Sequence, residues 1–498
     1  MPGASRWATV EPYLDSTLYA HVFGEDRTRV QAYDLYDEVY WTSPDTFRLT
    51  MRDQEGDPIY VPAGRKVVET ANRYLANGME VVADAEFGTD AERRDATAFF
   101  LDFARRERLY SKFAANKRKG LIKGDWLWHV WADPERPEGM RVSIGALDPA
   151  TYFPERNEAG DIVAVHLVEP TLDPEGKPLT RRLTYAKETG LGGPSGILVS
   201  DATYDPEEWG QPDTDMPLGR RVQTFRMEES LPPEITAIPV YHVPNVFDAD
   251  DPWGSSEMRG IERLMSAINQ AITDEDLALV LEGIGFYATT AGAPIDEATG
   301  EVKPWTIAVG RVVELPPGTD FKRVTGATSV TPYMEHLKYL HDRVDDATDT
   351  SDVSRVDVAV AESGIALTLR MAPLLARMAE KEIVVTDVTV NLLYDLRTWF
   401  MAYEGLRGLE AVRWVPRYGP KLPVNRQEVF EQVVRMATGE NPLISGTEAR
   451  RLLAGIGYDF TDETTLVTQI LQEQSDLASV RADAEAMRMG LEVGEPSV

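Results

Sequence analysis

Cysteine is absent from the chain. Its absence excludes disulfides, thiol nucleophiles and cysteine-ligated zinc, and it fits an intracellular site of synthesis. Long apolar runs are also missing. No window offers the roughly 18 consecutive apolar residues that a membrane-spanning helix needs. The opening MPGASRWATVEPYLDS has no basic segment leading into an apolar core, so no secretory leader is expected there. Basic charge is in deficit: 51 Lys and Arg face 82 Asp and Glu, for a net charge of −31. Tight nucleic-acid binding comes from neutralising phosphates with cations, so this balance argues against a protein built to grip DNA or RNA. Solubility alone would also account for it.

Histidines number six and are scattered. No HExxH occurs, and His336 and His341 lie five apart, a spacing that does not put both on one helix face. There is no GxSxG and no phosphate-loop fingerprint. GLGGPSG (190–196) reads as a β-hairpin loop, and DADDPWG (248–254) as a turn. A calcium loop would need a side-chain oxygen where Pro252 stands. These readings leave no catalytic residue, no metal site and no cofactor to nominate.

What the chain does have is a core's worth of apolar residues, 43% of 498. That suits roughly two to four domains or one elongated assembly subunit. A helix is expected at the start of 11–40, in YLDSTLYAHVFG, and another over 62–78, with Pro62 at its start and Gly78 at its end. The stretch DAERRDATAFFLDFARRERLYSKFAANKRKGLIKG keeps helical spacing through Phe99, Phe103, Leu109 and Phe113. It carries a basic run, Lys117, Arg118, Lys119 and Lys123. In so acidic a chain these are expected to pair with carboxylates rather than with DNA. The period then switches to two in DWLWHVWAD, and turn residues separate further strands, so 125–245 reads as β-rich.

Helical spacing resumes from Ser256 through Met258, Ile261, Leu264, Ile268 and Ile272 and stops near Gly283. Short strands and turns fill 284–330, and a second helix, PYMEHLKYLHDRVDDATD, follows. The longest helical pattern covers 364–403, with Leu374, Met378, Val385, Val388, Leu392, Leu396 and Trp399 on one face. At 1.5 Å per residue it would reach about 60 Å, with a bend at Pro373. Further helices are expected after Asn425, after Ser445 and from Thr461 to about Met489, ending in a disordered tail.

Between the second helix and the longest one lies an acidic bend. Residues 341–362 hold seven acids and only Arg343 and Arg355 as bases. A metal site, a solvated loop and a negatively charged lining are all compatible with that composition.

Three stretches together resemble the portal proteins of tailed double-stranded DNA bacteriophages. They are KGDWLWHVWAD…MRVSIGALDPATYFPERNEAGDIVAVHLVE (123–169), ITAIPVYHVPNVFDADDPWGSSEMRGIERLMSAINQAITDEDLAL (235–279), and the passage from Ser351 through Ser363-Gly364-Ile365-Ala366-Leu367. Their order is the specific part. The resemblance spans roughly 60–405, and the C-terminal helices fit a portal crown.

The resemblance implies an α+β subunit. Residues 1–255 would form a mixed wing with its β-rich part at 125–245. A stem helix (256–283), a small α/β clip (284–330) and a second stem helix (331–348) would follow. A tunnel loop (349–363), a long kinked wing helix with its connection (364–424), and a crown with a disordered tail (425–498) would complete the chain. It further implies a homo-oligomeric ring, commonly of twelve subunits, at one capsid vertex of a virion made in the host cytoplasm. DNA would enter through it under a terminase motor and later exit through it. Partners would be the terminase large subunit, a head-tail adaptor, and the major capsid and scaffolding proteins. Contact with double-stranded DNA would be transient and non-specific, and no membrane is implied. The tunnel loop would present Asp349, Ser351, Asp352, Val353, Ser354, Arg355, Val356 and Asp357. Trp305, Lys322 and Arg323 would face motor or adaptor from the clip, and Gly364 and Pro373 would serve as hinges. The competing readings are a metal-dependent nucleic-acid enzyme using the 342–357 carboxylates and a scaffold protein without a channel.

Overall fold

The computed structural model describes residues 24–44, 46–47, 49, 58–190, 193–205, 220–248, 251–284, 286–295, 299–302, 317–324, 331–350, 364–419, 426–438, 443–454 and 472. It divides into a large unit ending at Tyr418 and a small one from Gly419. Helix and sheet are mixed, an α+β architecture.

The large unit begins with α1 (Gly24–Trp41) and α2 (Ala63–Tyr74), then β1 (Glu80–Ala83), α3 (Asp90–Arg106) and α4 (Leu109–Lys123). The helix expected at the start of 11–40 falls outside the described residues up to Phe23. The run expected as one helical pattern after Asp90 is broken in two. Arg108 takes a left-handed conformation (φ 51°) between α3 and α4, so the spacing of Leu109 and Phe113 belongs to a second axis. A capping box opens α3: the Thr89 hydroxyl accepts from Glu92 N, and Glu92 accepts from Thr89 N.

Gly124 (φ 98°) ends α4 and turns the chain directly into β2 (Asp125–Ala132). There follow β3 (Val142–Leu147), β4 (Tyr152–Arg156), β5 (Ile162–Leu172), β6 (Pro178–Gly190), β7 (Gly193–Asp205), β8 (Arg220–Ser230) and β9 (Val240–Pro244). Strands β3-β2-β9 make one antiparallel sheet, and β4 to β8 make a second in sequence order. GLGGPSG is the β6–β7 hairpin connection, with Gly190 opposite Gly193.

Strand β2 stands between two cores. Trp126, Trp128 and Val130 join the main core, while Leu127 joins a second core with Tyr152, Val165, Tyr185 and Val199. Its alternation is real, yet both faces are dry. Indole packing fixes α4 on β2: a methyl group added at Gly120 would lie 2.6 Å from Trp126 Cδ1.

Helix α5 (Glu262–Ile284) starts later than the expected Ser256, because 257–261 form turns that precede it. It packs against α6 (Thr331–Thr348), and between them β10 (Phe286–Thr289) pairs antiparallel with β11 (Phe321–Val324). The chain therefore leaves along one helix and returns along the other. Helix α7 (Gly364–Glu404) runs 41 residues with Pro373 inside it. Leu374, Met378, Val385, Leu392, Leu396 and Trp399 are buried in the main core. At its far end Phe400 packs edge-on against Phe99 and Phe103 of α3, both at 4.9 Å, and against Trp414 of β12 (Trp414–Arg417), which pairs with β1. In the small unit, α8 (Arg426–Ala437) and α9 (Gly446–Ala454) share Val433, Ala449 and Leu453. Asn425 and the expected helix from Thr461, apart from residue 472, lie outside the described residues.

Two glycines carry the junction between β2 and the turns before α5. A Cβ on Gly254 would stand 1.9 Å from Gly124 O and 2.4 Å from Asn245 N, both backbone atoms that cannot yield. Gly254→Ala is expected to destabilise by about 3 kcal/mol, the upper range for overpacking. Gly260→Ala, whose Cβ meets nothing within 4 Å, is expected to lose only about 1 kcal/mol from its positive φ. Urea unfolding of the two variants side by side checks the difference.

Candidate functional site at the base of the acidic bend

The acidic bend leaves α6 at Thr348 and returns at Gly364. Of the residues assigned to it by resemblance, Asp349 is described; Ser351, Asp352, Val353, Ser354, Arg355, Val356 and Asp357 lie outside the described residues. What the structure shows is the base of the bend. Asp349 itself sits at φ 52° and ends the helix in a left-handed residue. The Thr348 hydroxyl donates to Val344 O at 2.7 Å and lies 2.6 Å from the Thr350 hydroxyl, which reaches Asp345 at 3.3 Å. Asp345 in turn pairs with Lys66 of α2 at 3.4 Å.

Two cations on the second and third turns after Pro373 hold this base. Arg377 donates through Nη1 to Thr348 O, and lies 3.9 Å from Asp349 and 2.7 Å from Glu257. Lys381 donates to Glu257 as well. Glu257 is buried, and its Oε1 also accepts from Asn245 Nδ2 at 2.7 Å. Its own backbone is tied to α4, Glu257 N donating to Leu121 O at 3.0 Å. Through its carboxylate and its backbone N–H, Glu257 therefore joins α4, the strand β9 exit, the entry to α5, and α7, while Arg377 extends the cluster to the C-terminus of α6. A buried, unpaired carboxylate would be costly, and so would either cation alone; together they offset one another.

No group of three or more His, Asp or Glu is placed to hold a metal ion among the described residues. The described acids of the bend and of the α6 end are drawn to cations: Asp345 to Lys66, Asp346 to Arg343 at 3.0 Å, Asp349 to Arg377.

The other nominated residues are spread apart. Lys322 on β11 is exposed and pairs with Asp320 at 2.9 Å, which raises its pKa. Arg323 follows it on the same strand, opposite Tyr287. Trp305 lies outside the described residues. Gly364 is the first residue of α7, and Pro373 lies two turns further on. The basic run is consumed internally. Arg118 pairs with Glu69 at 2.7 Å, Lys119 with Asp148 at 3.4 Å, and Lys123 with Asp37 at 2.8 Å and Asp148 at 2.9 Å. Lys117 is buried and donates to Leu75 O at 2.6 Å; burial lowers its pKa to about 8.

Sequence reasoning missed the Glu257 cluster. Glu257 looks like any surface acid ahead of a helix, and only the i, i+4 spacing of Arg377 and Lys381 along an otherwise apolar face hinted at a buried partner. It also missed Glu404, whose buried carboxylate accepts from Arg141 N at 2.7 Å and Val142 N at 3.1 Å and fixes the end of α7 to the β2–β3 turn.

No protein-family model matches the sequence, and no curated protein matches it. Among solved structures the chain is similar to one in the neck of a native gene transfer agent (GTA) particle computed with C12 symmetry. That match has 16% identity and a TM-score of 0.40, over 80% of this chain and 96% of the other. A chain in the neck of an empty GTA particle computed with C6 symmetry gives 17%, 0.44, 80% and 95%. One in the virion of the native gene transfer agent gives 14%, 0.42, 80% and 95%.

Truncating Glu257 to Ala leaves the buried Lys381 amine and the part-buried Arg377 guanidinium without their shared carboxylate and is expected to cost about 3 kcal/mol. Replacing the pair by Glu257→Leu with Lys381→Met is expected to recover part of that loss in urea unfolding. Burial acts to lower the Lys381 pKa, while the Glu257 carboxylate that it donates to favours the charged amine.

Proposed function

We propose that the chain is the subunit of a ring-shaped channel for double-stranded DNA, a portal at one vertex of a phage-like capsid. The observation that carries the reading is the run of elements from α5 to α7. Two mutually packed helices bracket a small two-stranded module, and an acidic segment then leads straight into a 41-residue helix that is clamped at Arg377, beyond Pro373. These elements follow the order of the portal-like sequence stretches.

Outward-facing apolar side chains support assembly. Tyr333, Met334 and Tyr339 on α6, Leu279 on α5, and Ile383 and Tyr394 on α7 are exposed in the single chain. A neighbouring copy would cover them. The charge balance supports a conduit. A wall that repels phosphate lets DNA slide, and repetition around a ring multiplies whatever weak contact each copy makes. On this reading the 349–363 segment is the tunnel loop, Arg355 supplies a brief contact, and Asp352 and Asp357 oppose phosphate. The β10–β11 module meets the terminase motor and then the adaptor through Trp305, Lys322 and Arg323.

Electron microscopy of the purified protein is expected to show closed rings with a central channel; a protein that stays monomeric at high concentration and under capsid co-expression would refute the proposal. Deleting 351–357 is expected to leave rings intact and to impair DNA packaging. Replacing Asp352 and Asp357 with Lys is expected to slow packaging most at low salt, where phosphate contacts are least screened. Normal packaging by that variant at every salt concentration would remove the tunnel-loop assignment.

A further inference from the structure

The two sheets of the β-rich part meet through a shared core, Leu127 on β2 against Tyr152, Val165 and Tyr185. Beside that core the packing opens into a cavity of about 330 Å³. His129 and Trp131 of β2 line it together with Leu183 and Tyr185 of β6, and Trp399 and Tyr403 of α7 complete the wall. The Trp131 ring does not fill the gap. It leans back on its own sheet, where a methyl group on Gly145 would stand 2.8 Å from its Cζ3, and it lies 5.1 Å from His129 at 28°. Trp399 and Tyr403 stack at 5.4 Å and 17°. Flat ring surface is therefore what the cavity chiefly offers.

Two polar groups in its wall have bonding capacity to spare. His129 Nε2 and the Tyr185 hydroxyl lie 2.8 Å apart, and the two residues are 8% and 4% exposed. Burial draws the His129 pKa down to about 4 and raises that of Tyr185, so both are uncharged at pH 7. Their shared bond uses one donor and one acceptor. In either tautomer one of each remains: His129 Nδ1–H and a Tyr185 lone pair, or the Tyr185 O–H and the Nδ1 lone pair. Among the described residues no other group hydrogen-bonds either side chain. The charges lining the cavity, by contrast, are already matched. Arg181 is held by Asp201 through bonds of 2.9 and 2.5 Å and stands opposite Glu169. Arg226 stands opposite Asp201 and lies 3.9 Å from Glu229.

We propose that this cavity binds an uncharged planar heterocycle with the edge chemistry of a nucleobase, stacked on the ring surfaces and hydrogen-bonded to the His129–Tyr185 pair. Its volume is at the small end of the roughly 300–1,000 Å³ typical of ligand pockets, which suits one ring system and not a long chain. Unfilled, it would hold about ten waters. Waters against ring faces find few partners, so their release by a flat apolar face is favourable, and base–aromatic stacking adds to it. A neighbouring donor and acceptor match the edge of a nucleobase, whereas a hydrocarbon would leave both unpaired in a dry site. The matched charges leave no partner for a phosphate or an ammonium. A net charge of −31 repels a nucleic-acid strand, so the ligand is a free nucleoside.

Saturation-transfer NMR on the full chain, with adenosine as the probe, tests this. Saturable transfer with a Kd below about 1 mM is expected, and its absence at that concentration overturns the proposal. Tyr185→Phe keeps the ring and removes the hydroxyl. It is expected to weaken binding about tenfold while the melting temperature falls by no more than about 3 °C. Leu183→Trp fills the cavity and is expected to abolish binding; should it fail to fold, Tyr185→Phe decides alone. Adenosine that binds either folded variant as it binds the wild type is bound elsewhere, and the assignment falls. Displacement by spermidine would make the rings a cage for a cation. Tighter binding of adenosine monophosphate or of a short oligodeoxyadenylate would make phosphate the recognised group. Either result overturns the proposal, and none of these outcomes bears on the ring reading.

Discussion

The buried carboxylate of Glu257 is the point on which the geometry of the bend depends. It meets Lys381 and Arg377 on one side and Asn245 on the other, and its backbone is bonded to α4. An apolar contact at that place would tolerate sliding by a turn, because leucine packs nearly as well against one neighbour as against the next. Charged groups removed from water do not tolerate it: a shift of one turn along α7 would strand both cations. The cluster therefore fixes the axial register of α7 relative to α4 and α5. Arg377 extends that constraint to α6 by holding Thr348 O, so the departure of the acidic segment is set by the same carboxylate.

The far end of α7 is fixed by a second carboxylate in a different way. Glu404 accepts backbone N–H groups of the 139–142 turn, and the aromatic stack of Phe99, Phe103, Phe400 and Trp414 surrounds that end. Between the two, Asp395 accepts from the Tyr241 hydroxyl at 2.9 Å. Burial raises the Asp395 pKa against the effect of that bond. The helix is thus tied to the β-rich part near its end and to the helical entry near its start, so the segment from Arg377 to Glu404 is a strut held at both ends.

Much of this was legible in the sequence, and the reasons differ by element. Helix α7 was readable because a 3.6-residue apolar period over 41 residues outweighs the poor helix propensity of IVVTDVTV. Strands β5 to β7 were readable from alternation between turn residues. The break at Arg108 was not, because an arginine in a left-handed conformation leaves no compositional mark, unlike glycine. The late start of α5 was hidden for a related reason: Met258 and Ile261 keep helical spacing while filling core positions from turns. The ion cluster was least legible of all. Burial of Glu257 depends on where α7 lies, and in a chain with 82 acids no single one is distinguished by type.

Pro373 gains its meaning from its position relative to the anchors. Proline removes the hydrogen bond to the carbonyl four residues back and so weakens the first turns of α7. It stands one turn before Arg377, on the bend side of the Glu257 cluster. A change of direction there would redirect 364–372 without moving Arg377, Lys381 or anything that Glu257 holds. Had the proline stood after Lys381, any bend would have pulled on buried charges, and the cost of exposing or stranding them would have opposed it. The sequence therefore places the proline of α7 where a bend pulls on no buried charge, and places its buried charges beyond it. That arrangement confines adjustment to the segment next to the acidic bend and leaves the strut behind it unchanged.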